Sequence, residues 1–418
     1  MKKGNCDMTH KKEHSNFTPN EQATAAFVNT LNTIRGDHLF KATLEIDVDY
    51  KHSQMILSEG RAAVKHIISS NRGGYKGMHG FLGEITQVFG ENSRSAVNGC
   101  NIRYHWINNN GPADYLRDSI EIQQKACRSG GRLGLDHVLN HAETYPAFVQ
   151  SGGIYQIPRD FFQRYNYLRN LSASNAGLLR KEEYKLWKMV QEFPKQNPDI
   201  KIEPMSVTYS EIQAESVEST LDKIAAENTA QYETRKANAK FQNRATLQEG
   251  IKTAMLSSLL EGGFSGTICI AGKIFDGKKI KEFDKDDWKK VGIETAKGSA
   301  KGAIRGAVVY AATNLTNVSA PVATATVTAT YDIADEVVAL RKGDQTKAEC
   351  IRNIAIDSSD ILVSTGSAIL GSKYLPKMLP PKCRSSHPAI LLCTIAGNLI
   401  GTYAWKKCRK KIFDATSK

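Results

Sequence analysis

The stretch that most constrains the fold is Asp114-Tyr115-Leu116-Arg117-Asp118-Ser119-Ile120-Glu121-Ile122-Gln123-Gln124-Lys125-Ala126, which follows the turn signal Gly111-Pro112. Taken as a strand, residues 120–126 alternate. Ile120 and Ile122 point one way, while Glu121, Gln123 and Lys125 point the other. A hairpin formed behind the Gly-Pro turn brings the Asp114 carboxylate beside Gln123. Four polar groups, two of them carboxylates, then share one patch, which suits a metal and a phosphate.

The flanking sequence alternates between helical and extended patterns. Residues 23–34 have helical spacing (Ala26, Phe27, Leu31, Ile34), residues 41–48 alternate as a strand does (Ala42, Leu44, Ile46, Val48), and residues 53–69 again suit a helix. The glycine-rich, basic segment 71–80 breaks the pattern and leads into a helix over 81–97 that carries Glu84, with Gln87 one turn on. Its glycines and the following helix N-terminus offer an anion site. It lacks a Walker Lys-Ser/Thr ending and Rossmann spacing, so an interhelical loop is the equal alternative. An aromatic run at 101–107 and the turn 108–112 deliver Asp114. Beyond Gly130-Gly131 come a helix over 133–148 and a short strand over 152–158. Such alternation predicts an α/β core.

A chain of 418 residues exceeds one ordinary core. The expected divisions are a mobile lead-in (1–22), an α/β domain (23–170), a long helical connector (171–261) and a mainly α-helical, Gly/Ala-rich domain (262–418). Within the connector, Thr208-Tyr209-Ser210-Glu211 fits a capping box and predicts the start of a long helix. The formal net charge of +13 points to an anionic partner, nucleic acid or an acidic membrane, although a solvated lysine-rich face produces the same excess. The 8 cysteines include no C-x-x-C pair and no zinc spacing, which argues against a disulfide framework and for a reducing, cytoplasmic setting.

After Gly262 the composition shifts to Ala, Gly, Val and Thr. Gly298, Gly302 and Gly306 recur every fourth residue and offer a face for close helix approach, within the chain or between copies in a homo-oligomer. Residues 307–331 contain no charge. Nor do residues 388–405, which end in Trp405 and are followed by Lys406-Lys407-Cys408-Arg409-Lys410-Lys411. An aromatic and a basic cluster closing an uncharged stretch predicts contact of 388–411 with an anionic membrane, hence inner-membrane association. Buried helices of a soluble domain are the alternative, since Asn398 lowers the apolarity and Asp357 and Asp360 lie in the neighbouring segment.

Glu84 in a helix, then Asp114, then Gln123-Gln124-Lys125 on a strand resembles the PD-(D/E)xK nuclease fold, in the Mrr-type branch where Gln takes the second acidic place. The resemblance covers roughly residues 53–161. It departs from the usual pattern in placing Gly-Pro-Ala, not an adjacent Pro, before Asp114. It implies a restriction-endonuclease-like α/β domain that cleaves DNA or RNA with Mg2+ or Mn2+. Asp114, Gln123 and Glu84 then hold the metal, and Lys125 orients or deprotonates the attacking water. Arg72, Lys76 and Arg128 are the expected phosphate contacts, and Asp118 is an alternative ligand if the hairpin register slips.

The first functional expectation is therefore a metal-dependent nuclease coupled to a membrane-associated or self-associating helical domain, an arrangement analogous to bacterial toxin and phage-defence effectors. Two rivals stand beside it. One is a membrane-inserting, pore-forming effector with a non-catalytic α/β sensor. The other is an inactive nuclease fold that only binds nucleic acid.

Overall fold

The computed structural model of the protein describes residues 20–416 apart from 110, 129, 130, 276, 277 and 317. The expected lead-in thus lies almost wholly outside the described residues. The chain divides into two compact units, one formed by Leu39–Gln242 and the other by the segments on either side of it. They are called here the sheet unit and the helical unit.

Helix α1 (Asn20–Ser69) begins in the helical unit and continues into the sheet unit. It absorbs residues 41–48, expected as a strand. No proline interrupts residues 20–69, helical sequence flanks the segment on both sides, and of the alternating apolar residues Ile46 is buried while Leu44 and Val48 remain exposed, so the period-two face is not the buried one. Helix α2 (Gly74–Val97) starts earlier than expected, reducing the predicted 71–80 loop to a turn in which Gly73 adopts a left-handed conformation.

The sheet contains β1 (Tyr104–Trp106), β2 (Tyr115–Arg117), β3 (Ile120–Gln124), β4 (Ile154–Ile157) and β5 (Lys201–Pro204), in that spatial order. The first three form an antiparallel meander, and β4 and β5 then add parallel to β3. Asp118 and Ser119 join β2 to β3 with positive φ angles of 49° and 68°, a two-residue turn whose twist matches that of the strands. Between β3 and β4 the chain crosses over through α3 (Leu135–Thr144) and α4 (Pro146–Gln150). After β4 come α5 (Arg159–Asn170), the short α6 (Ala173–Ala176) and α7 (Lys181–Gln196), and after β5 comes α8 (Val217–Gln242).

Strand alternation sends these side chains into two cores. On one face Tyr115, Ile122 and Ile154 meet Val88 of α2, and α2 in turn packs against α1 and α8 through Leu57, Leu82, Ile85 and Leu221. On the other face Tyr155 and Ile157 meet Val138, Phe148, Leu168 and Val190. All four residues of β4 are buried, as a central strand covered on both faces requires.

The region expected as a connector is therefore part of this unit. It supplies β5, α7 and α8, and the chain leaves the unit after Gln242, not at residue 262. The capping box is present: the Glu211 carboxylate accepts from the Thr208 amide at 2.8 Å and the Thr208 hydroxyl accepts from the Glu211 amide at 3.4 Å. It caps only a single tight turn, Ser210–Ile212, and the long helix starts at Val217.

In the helical unit, α9 (Leu247–Phe275), α10 (Lys285–Leu315), α11 (Ala320–Lys342), α12 (Lys347–Tyr374) and α13 (His387–Thr416) follow one another. The uncharged stretch 307–331 is not one helix, because α10 ends at Leu315 and α11 begins at Ala320. Gly298, Gly302 and Gly306 are buried against the chain's own α9, so the close helix approach expected on this face is made within the chain. A Cβ on Gly298 would stand 2.7 Å from the Glu261 carbonyl oxygen, and one on Gly302 would overlap the Ser257 carbonyl oxygen.

Two glycines of α10 should therefore respond in opposite ways. Gly302→Ala should destabilise the helical unit by about 1–3 kcal/mol, because backbone must move to admit the methyl. Gly292→Ala, with open space around its Cβ, should stabilise it by up to about 1 kcal/mol. Chemical denaturation followed by helicity checks both signs.

Candidate active site

The ladder between β2 and β3 runs one step past the strands: the Asp114 amide donates to the Ile122 carbonyl at 2.9 Å. This fixes Asp114 at the mouth of the hairpin. Its carboxylate Oδ2 accepts from the Gln124 amide at 2.7 Å and from Gln123 Nε2 at 2.6 Å. Lys125 is anchored in the same way, its amide donating to the Gln156 carbonyl of β4 at 2.8 Å.

Helix α2 is drawn to the same place by Gln124, whose Nε2 donates to the Gly80 carbonyl at 3.1 Å. A Cβ on Gly83 would overlap that amide, so glycine is what lets the strand and helix approach. The next residue is Glu84. It is 9% exposed and accepts from Trp106 Nε1 of β1 at 3.2 Å. Arg72 lies over the Phe81 ring at 4.2 Å, donates to Asn108 Oδ1 at 2.6 Å and lends its charge to Glu84.

The predicted quartet Glu84, Asp114, Gln123 and Lys125 thus converges. Burial pushes the Glu84 carboxyl well above the usual carboxylate range, and the Asp114 charge raises it further. Burial also raises Asp114, against the opposing effects of the Gln124 amide, the Lys125 charge and the Gln123 amide. Lys125 is pulled below the ordinary lysine range by burial, with the charges of Asp114, Cys127 and Glu84 acting against the shift. Two carboxyls shifted up beside an amine shifted down form an electrostatically poised set.

Other expectations fare differently. Asp118 sits in the β2–β3 turn, paired with Arg103, and does not join the set. Arg128 is exposed, and the Lys76 side chain lies outside the described residues. Gln87 has a structural task, accepting from the Ser206 amide and hydroxyl at 2.8 and 2.9 Å and thereby tying α2 to the end of β5. His141 is a neighbour that sequence spacing does not signal. Its Nδ1 lies 2.9 Å from the Tyr155 hydroxyl, and its pKa is lowered to about 4 by burial and then by the Lys125 charge. Trp106 could have been noticed, since it ends the aromatic run that precedes the turn into Asp114.

For a divalent ion the relevant donors are oxygens. Among the described residues no group of three or more His, Cys, Asp and Glu side chains is placed to hold one. The donors gathered here are of another kind: the Asp114 carboxylate, the Gln124 carbonyl and the Gln123 amide. Gln123 Nε2 bridges Asp114 Oδ2 and, at 3.2 Å, the Gln124 carbonyl oxygen. A partly positive N–H group thus spans two oxygens that a cation would share, and turning the amide over would present its oxygen to that cation instead. Oxygens of this kind are the donors that a hard divalent ion takes.

The chain matches no family model, and neither curated proteins nor solved structures give a match to it.

The raised Glu84 pKa has a consequence for stability. A carboxyl whose folded pKa exceeds its unfolded value contributes stability that is complete below the ordinary glutamate range and is lost as pH rises through the folded value. Amide hydrogen exchange across β3, corrected for intrinsic rates, should therefore lose protection between pH 5 and pH 9 in the wild type, by about 1 kcal/mol or more. Glu84→Gln keeps the acceptor for Trp106 without the charge and should flatten that loss. The same pH dependence in both proteins would contradict the assignment.

Proposed function

We propose that the sheet unit is a metal-dependent phosphodiesterase of nuclease type, with an architecture resembling the PD-(D/E)xK fold. The observation that carries this is the convergence of Glu84, Asp114, Gln123 and Lys125 at one end of β2 and β3, supplied by a helix and a strand pair in the order the resemblance calls for. The mixed sheet, an antiparallel meander extended by parallel strands between helical layers, supports the same reading.

Asp114, Gln123 through its amide oxygen and the Gln124 carbonyl are the groups that would hold Mg2+ or Mn2+, with Glu84 positioned to hold a water. Such an ion, when bound, neutralises charge on a phosphodiester and acidifies a water. Lys125 serves the proton and the charge. Burial shifts its pKa downward, toward the neutral form that accepting a proton from the attacking water requires, and its ammonium form would stabilise the negative oxygens of the phosphorane-like transition state. Because both carboxyls resist ionisation, ion affinity rises with pH as they lose their protons. Arg72, whose charge acts on Glu84, is a basic group placed to meet a backbone phosphate.

The test is cleavage of DNA and RNA by the purified full chain with Mg2+ or Mn2+. Asp114→Ala and Lys125→Ala should each lower the rate about 10²–10³-fold. Equal nicking by wild type and both variants removes the assignment. One observation favours a second reading. Gln123 stands where a second carboxylate would grip a hard cation more strongly, and its nitrogen faces Asp114. Were the unit to bind nucleic acid without cutting it, affinity would fall steeply with salt and no metal would yield cleavage.

A further inference from the structure

Helices α12 and α13 invert the polarity of a water-soluble pair. The seam between them is polar and small. Ser364 Oγ donates to Asn398 Oδ1 at 2.7 Å and Thr402 Oγ1 to the same atom at 3.0 Å, with Ser364 and Asn398 wholly buried. Farther along, Gly371 and Gly397 lie back to back. A Cβ on Gly371 would stand 2.7 Å from both the Gly397 Cα and the Cys393 carbonyl oxygen. The outward faces carry the large apolar side chains instead: Leu362 is 73% exposed, Leu392 66%, Ile400 62% and Tyr403 72%.

The sheet unit of the same chain buries Leu, Ile and Phe in its two cores, so the inversion is local. Both helices are long and apolar enough to cross a membrane, yet only 39% and 22% of their most apolar windows are buried. A soluble fold hides its most apolar helix. Here that surface is left outside, and what holds the pair together is hydrogen bonding and backbone proximity, the forces that remain when the surroundings are themselves apolar.

The ends of the pair are cationic. At one end Arg409 pairs with Asp360, and Trp405 Nε1 donates to the same carboxylate at 2.7 Å, beside Lys406 and Lys407. At the other, Lys373 and Lys377 flank the Tyr374 ring at 5.7 and 5.0 Å, and Lys382 and Arg384 follow in the connecting turn. Uncharged residues 388–404 of α13 lie between these ends, about 26 Å of helix, close to the thickness of a hydrocarbon core. Aromatic and basic groups at both ends match two layers of anionic headgroups.

We propose that α12 and α13 form a hairpin embedded in an anionic lipid bilayer, with acyl chains covering the outward Leu, Ile and Tyr face and headgroup phosphates meeting the basic ends. The occupant of this face is lipid, not a second copy. A protein partner would cover the apolar surface, but it would explain neither the cationic groups at both ends nor a seam built from hydroxyls, an amide and glycines.

The full chain, synthesised in a cell-free reaction with vesicles of phosphatidylcholine containing a minor share of phosphatidylglycerol, tests this by flotation after an alkaline carbonate wash. Wild type is expected to float and to resist the wash. Leu362→Asp with Ile400→Asp, both outward and free of packing duties, should cut the floated fraction about tenfold or more. Phe40→Asp, on an exposed site of the sheet unit, should leave it unchanged. Vesicles without phosphatidylglycerol should retain less protein. The proposal is overturned if wild type stays unfloated, if the double variant floats equally, or if wild type is a soluble dimer that the double variant dissociates. Nuclease assays on the same samples are independent, so either conclusion can fail alone.

Discussion

A single carboxylate oxygen organises the sheet unit's chemistry. Asp114 Oδ2 accepts the backbone amide of Gln124 and the side-chain amide of Gln123, so the residue that ends the loop before β2 is locked to the last residues of β3. Hydrogen bonds to an ionised acceptor contribute about 1.5–3 kcal/mol each, whereas burying that charge opposes ionisation. The two tendencies meet in one group, which holds the hairpin closed and stays reluctant to lose its proton. Gln124 then carries the constraint outward through its bond to the Gly80 carbonyl, and Glu84 arrives beside Asp114 as a result.

Much of this was legible because β3 declares its period. With Ile122 on one face and Gln123 and Lys125 on the other, the partition follows from the pleat, and Asp114 behind Gly111-Pro112 falls beside Gln123 by hairpin closure. Glu84 was placed by its helix. Residues 41–48 misled because period-two alternation also occurs by chance on a helix, and neither proline nor a turn cluster marked an end. Strand β5 is not legible in the sequence, since Lys201-Ile202-Glu203-Pro204 is short, half polar and recognisable only once β4 offers an edge. His141 was invisible for another reason: it reaches Tyr155 and Lys125 through tertiary packing of α3 on the sheet, which no local spacing encodes.

The helical unit obeys different rules. Arg305 and Glu261 form an ion pair that is almost wholly enclosed, and Thr24 of α1 donates to the same carboxylate at 2.7 Å. Charged and hydroxyl groups inside, with leucines and isoleucines outside, make its helices weakly amphipathic in the ordinary sense, which is why composition flagged this half of the chain while periodicity did not assign its faces. Glycines do the close packing: Gly302 faces the Ser257 carbonyl and Gly371 faces Gly397, so helix contact is set by backbone shape more than by side-chain interlock.

Helix α1 belongs to both units, since residues 20–38 pack in the helical unit while the remainder lies in the sheet unit. Ala25 and Val28 find their partners in Val309, Ala320 and Ala323, nearly three hundred residues later in the chain. Because the rest of the helical unit follows residue 242, a ribosome delivers every residue of the sheet unit before the first turns of α1 meet their partners in that unit, and domains generally fold as they emerge. Residues 20–38 must wait, solvated or chaperoned, until α9 and α10 have been made, because Thr24 pairs with Glu261 and Ala25 and Val28 pack with Val309, and a nascent chain stalled after residue 242 would already hold a complete sheet unit with an orphaned helical arm.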